Sequence, residues 1–169
     1  MAELNMTNMT NITNIPNMTE LNIPNLTNLT NITNLTNITI EEIRIISGRE
    51  KFSMPIIEKD YLVTYLLFLL KDIKGIYFKG GTAINKILLN HARLSEDLDF
   101  TLARDIKEVE KEIKEKLKNT IFGKISQGKD REGFTRLIIH YKLFHEDGTI
   151  FVDLNKKSSL ILKPEKYNI

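Results

Sequence analysis

The chain has 169 residues, enough for one domain of ordinary size and too few for two. It contains no cysteine, which excludes disulfide frameworks, thiolate metal sites and cysteine nucleophiles and suits a reducing cytoplasm; its three histidines, His91, His140 and His145, stand in no ligand-like spacing. The net charge is +2, but the first forty residues carry only Glu3 and Glu20 while every lysine and arginine lies at or beyond Arg44, so the basic surplus of the remainder mildly favours phosphate-bearing partners.

Residues 1–40 form a low-complexity array in which Asn recurs at every third position, as in Asn5-Met6-Thr7 and Asn37-Ile38-Thr39. A period of three matches neither the helical 3.6 nor the strand period of 2, so no regular element here would have one apolar face, and the segment reads as disordered or extended. Its triplets match the Asn-x-Thr glycosylation acceptor, but no basic n-region and continuous apolar h-region accompany them.

Ordinary globular composition begins at about residue 41, and residues 41–169 read as the folded domain. Ser53 with Pro55 signals a helix start, and Ile56 to Asp72 reads as a strongly apolar core helix stopped at Gly75. Its charges leave an apolar run too short to cross a bilayer. Ile76-Tyr77-Phe78 reads as a short strand, Gly80-Gly81 as a turn, and Thr82 to Asn90 as a short helix with Ile84, Ile87 and Leu88 on one side. Asp97 to Leu102 alternates as a strand, and Asp105 to Asn119 is an amphipathic helix. Phe134 to Phe144 and Thr149 to Leu154 read as two strands joined through His145-Glu146-Asp147-Gly148, where Asp-Gly favours a hairpin. This order predicts an α/β (α+β) domain with helices against a sheet.

Two motifs carry chemistry. In Asp97-Leu98-Asp99 alternation sends both carboxylates to one face of the strand, and carboxylates that converge repel unless a cation lies between them, which suits hard divalent ions. Taken alone, Asp-x-Asp is more often a solvated strand edge; the apolar neighbours Leu94, Leu98 and Phe100 instead predict a half-buried strand. Gly80-Gly81-Thr82 stands between a strand and a helix, where close backbone approach, free N–H groups and the helix dipole favour phosphate. A tight strand-to-helix turn explains a lone Gly-Gly equally well. The P-loop spacing is absent.

Together, Phe78-Lys79-Gly80-Gly81-Thr82-Ala83-Ile84-Asn85-Lys86 and Arg93-Leu94-Ser95-Glu96-Asp97-Leu98-Asp99-Phe100, with the lead-in Ile57-Glu58-Lys59-Asp60-Tyr61, resemble the AbiEii/AbiGii toxin family, the nucleotidyltransferases of type IV toxin–antitoxin and abortive-infection systems. The resemblance is close over about residues 55–102. It implies a nucleotidyltransferase-like mixed sheet with flanking helices, Mg2+ or Mn2+ held by Asp97 and Asp99, and a third carboxylate on a later strand, for which Asp153 is the fitting position. It further implies transfer of a nucleoside monophosphate from an NTP to an acceptor hydroxyl, on tRNA first and on protein second, by a cytoplasmic toxin with a cognate antitoxin and no membrane association. Gly80, Gly81 and Thr82 would hold the outer phosphates, with Lys79, Lys86 and Arg93 balancing their charge. The chain is expected to lack the helical C-terminal region of that family. The competing expectation is a catalytically silent nucleotide-binding or interaction module of the same descent.

Overall fold

A computed structural model describes residues 38–89, 94–144, 147–157 and 163–167. The Asn-x-Thr array up to Asn37 therefore lies outside the described residues, as do Arg93 and the predicted end of the third helix at Asn90. Among the described residues nine elements follow in order: α1 (Ile40–Glu50), α2 (Met54–Leu70), β1 (Ile76–Lys79), α3 (Gly80–Ile87), β2 (Asp97–Leu102), α4 (Ile106–Leu117), β3 (Lys124–Arg131), β4 (Phe134–Tyr141) and β5 (Gly148–Asn155).

The last threonine of the described array does structural work. Thr39 caps α1 in a capping box: its side chain accepts from Glu42 N, and the Glu42 carboxylate accepts from Thr39 N. Ile38 is buried with Ile43, Ile46 and Ile57 in a small cluster that seats α1 on α2. A truncated chain beginning at Ile40 loses that cap and that side chain. It is expected to melt lower than one beginning at Asn37, with about 1 kcal/mol from the cap alone, which paired thermal melts would read.

Helix α2 begins with Pro55 in its first turn, as the sequence suggested, although the Ser53 side chain makes no cap hydrogen bond. The helix ends at Leu70 rather than at Asp72, and the chain reverses through Gly75 at φ 74°. Its apolar residues run around much of its circumference, which marks a helix enclosed by others. Leu62, Val63, Leu66 and Leu70 pack with Val109, Ile113 and Leu117 of α4 and with the sheet residues Leu98, Phe100, Leu102, Leu137, Ile139, Ile150, Val152 and Leu154.

The five strands lie in the order β1-β2-β5-β4-β3. The β2/β5 pair is parallel, and β1/β2, β5/β4 and β4/β3 are antiparallel, giving the expected mixed sheet with flanking helices. Alternation is strict on β4 and nearly so on β5: Leu137, Ile139, Tyr141, Ile150, Val152 and Leu154 point to the core, while Arg136, Ile138, Phe151 and Asp153 point to the opposite, more open face. Among the described residues no helix is long and apolar enough to cross a membrane.

Candidate active site

Strand register assembles the site on the open face of the sheet. Asp97 and Asp99 lie two residues apart on β2, with Leu98 between them turned fully into the core. In the parallel pair, Asp99 is opposite Asp153 and Asp97 is opposite Phe151, so all three predicted carboxylates share one face at adjoining positions. Lys79 on β1 is opposite Asp99, and Arg136 on β4 is opposite Asp153. The result is a row across four strands, Lys79–Asp99–Asp153–Arg136, with cations at its ends and carboxylates in its middle.

The electrostatics follow from that row. Burial and then the charges of Asp97 and Asp153 push the Asp99 carboxyl above the usual carboxylate range, against a smaller opposing pull from Lys79 and Arg136. Asp153, only 13% exposed, is bound by both ends of the Arg136 fork: Nε donates to Oδ1 and Nη2 to Oδ2, each at 2.7 Å. Arg136 is held protonated more firmly than usual, first by this hydrogen bonding and also by the charges of Asp97 and Asp99. Nothing in the sequence reading singled it out.

The glycine turn meets the carboxylates directly. Gly80 has φ 80°, a left-handed backbone that disfavours any side chain, and a Cβ there would collide with Asp99 Oδ2. The expected turn is thus the first residue of α3, and Gly80 is where glycine is required. Gly81 is exposed beside it. Thr82 is fully buried and, rather than capping the helix, donates from Oγ1 to Asp97 Oδ1 at 3.2 Å.

Helix α3 is seated the opposite way from the reading of its apolar side. Thr82, Asn85 and Lys86 face inward, whereas Ile84, Leu88 and Leu89 are exposed. Lys86 Nζ donates to both oxygens of Asp60 at 3.1 Å and to Thr64 Oγ1 at 2.8 Å, so its charge is committed within the fold. Burial lowers its pKa, with Asp60 opposing that effect. Asp60 also accepts from Ser95 N at 3.1 Å, and Asn85 Nδ2 donates to Ser95 Oγ at 3.3 Å. The family-like lead-in residue Asp60 therefore ties α2 and α3 to the segment that delivers Asp97. Asp60→Ala strands a buried ammonium, so it should cost about 3–5 kcal/mol in denaturant unfolding.

The donor chemistry suits a divalent cation at Asp97 and Asp99: hard oxygen ligands, one of them pushed above the usual carboxylate range by burial and then by its neighbours' charge. Among the described residues, however, no three carboxylate or imidazole groups form a ready-made cage. The Arg136 fork on Asp153 is consistent with that.

A family model described as nucleotidyl transferase AbiEii toxin, type IV toxin–antitoxin system, matches residues 67–168. Among solved structures, JHP933 from Helicobacter pylori is 23% identical, with a TM-score of 0.52 over 64% of this chain and 47% of that one. A second H. pylori structure, of a provisionally assigned nucleotidyltransferase, gives 23% identity and a TM-score of 0.52 over 65% of this chain and 49% of that one. The chain thus spans about half the length of the structures it matches, and at this identity the likeness is one of fold. No curated protein matches the sequence.

Proposed function

Because the chain belongs to the AbiEii nucleotidyl transferase toxin family of type IV toxin–antitoxin systems, we propose that it transfers a nucleoside monophosphate from an NTP to an acceptor hydroxyl, with tRNA the first acceptor to test and a protein hydroxyl the second. The observation that carries this reading is the convergence of Asp97, Asp99 and Asp153 on one sheet face against the Gly80 turn. Membership also points to a cognate antitoxin as partner, and the absence of cysteine suits action in the cytoplasm.

Asp97 and Asp99 would hold Mg2+ or Mn2+, with Asp153 completing the set. A bound divalent ion supplies charge neutralisation at the triphosphate and acidifies the acceptor hydroxyl. The residues themselves supply placement. Thr82 fixes the orientation of Asp97, Asp60 and Lys86 fix the approach to β2, and the bare backbone at Gly80-Gly81 leaves room for phosphate oxygens. Lys79 and Arg93 would balance phosphate charge. The acceptor oxygen attacks the α-phosphorus, the bond to the bridging oxygen of pyrophosphate breaks, and a site carboxylate receives the hydroxyl proton.

The occupied oxygens of Asp153 favour a second reading, a nucleotide-binding module without transfer. Incubation of the full chain with each labelled NTP, Mg2+ or Mn2+ and total tRNA separates the two. Label on RNA or protein establishes transfer; metal-dependent NTP binding without label establishes the silent module.

A further inference from the structure

The Arg136 guanidinium occupies both oxygens of the third carboxylate, at 2.7 Å each, while about a third of its own surface remains exposed. Its carbon lies 4.9 Å from the centroid of the Phe151 ring, and Phe151 sits opposite Asp97 on the same face. One cation is thus lodged against Asp153, stacked on an aromatic ring and partly open to solvent, on the face of the sheet that also carries the other two carboxylates.

Resting on the nucleotidyltransferase reading above, we infer that Arg136 is a substrate-binding residue coupled to metal loading: its guanidinium neutralises Asp153 and passes to the phosphates of the NTP when a divalent ion takes that carboxylate. Three carboxylates on one face need counter-charge in every state of the site. A bidentate guanidinium and a divalent ion compete for the same two oxygens. Once displaced, a guanidinium still resting on Phe151 is placed beside an anionic triphosphate, with which it forms charge-assisted hydrogen bonds. Metal alone must therefore expel Arg136 without return, whereas metal with nucleotide recovers the lost pairing, so the two ligands bind cooperatively.

The test is Mn2+ titration of the full chain, without and with a saturating NTP analogue bearing an α,β-methylene bridge, and titration of the analogue at saturating Mn2+. Arg136→Gln is expected to bind Mn2+ alone about tenfold more tightly and the analogue about tenfold more weakly, a coupling within the usual range between sites. Arg136→Lys should recover part of the analogue affinity. In an Asp153→Asn background, Arg136→Gln should no longer strengthen Mn2+ binding, because the competition is gone. A purely structural Arg136 would weaken both ligands together; that result, or unchanged affinities, overturns the inference while leaving the nucleotidyltransferase reading intact. Failure of the unaltered chain to bind either Mn2+ or the analogue overturns both. If Arg136→Gln melts well below the parent, Arg136→Lys carries the same comparison.

Discussion

Replacing Asp97 and Asp99 together by Asn is expected to lower nucleotide transfer by about three orders of magnitude and to abolish divalent-ion binding, with the fold retained. The substitution keeps the shape of both side chains, including an oxygen at position 97 that can still accept from Thr82 Oγ1, and removes two charges from a face that already carries Asp153. Loss of metal-derived stabilisation amounts to several kcal/mol, and each 1.4 kcal/mol is about a tenfold change in rate. Transfer at the parental rate by the double variant would refute the site.

Asp99→Asn alone adds a pH signature. The folded Asp99 pKa is raised above its ordinary 3.8, so the protonated form is favoured in the folded state. Its stabilising contribution is present below the unfolded pKa and is lost as pH rises through the folded one. The variant should therefore melt higher than the parent at neutral pH, and the difference should vanish below the ordinary carboxylate range. A difference independent of pH would assign the effect to packing.

The second large effect is expected at Gly80. Gly80→Ala places a side chain on a φ of 80° and drives its Cβ into Asp99 Oδ2. Strain of this kind costs about 1–3 kcal/mol, and relief requires the carboxylate or the α3 start to move, so metal binding should fall along with stability. Gly81→Ala, at an exposed position, is the control for the turn itself: it should leave the melting temperature nearly unchanged and affect only nucleotide affinity. Equal melting temperatures for the two variants would remove Gly80 from its role against Asp99.

The chemistry-bearing elements were legible because their signals are local. Alternation in Asp97 to Leu102 and the Gly-Gly break before α3 depend on neighbours a few residues away; β2 lies where its signal put it, whereas α3 begins at Gly80, two residues before the expected start at Thr82. Strand β3 escaped notice because Lys124 to Arg131 is a polar edge strand interrupted by Gly128 and by a register shift, features that keep an edge from pairing with other chains. Helix α1 did carry a local signal, the Thr39-x-x-Glu42 capping box, hidden because Thr39 also ends the repeat.

Arg136 was hidden for a different reason. Strands running to Phe144 and from Thr149, as the Asp-Gly turn suggested, would place His140 opposite Asp153. The ladder instead closes at Tyr141 and Gly148, and that longer connection brings Arg136 into register. The inverted seating of α3 was equally beyond local pattern. Its buried side is polar because Asp60, Ser95 and Asp97, all distant in sequence, supply the partners.

The central position of β5 has a consequence for biogenesis. This strand, the last in chain order among the described residues, is inserted between β2 and β4, pairing with β2 across a separation of about fifty residues. Until Gly148 to Asn155 has left the ribosome, β1-β2 and β3-β4 are separate ribbons, each with an open edge. The row of charges cannot close before that insertion. Long-range pairings are slow to form, so a partly synthesised chain carries Asp97 and Asp99 without the neighbours that make them a site.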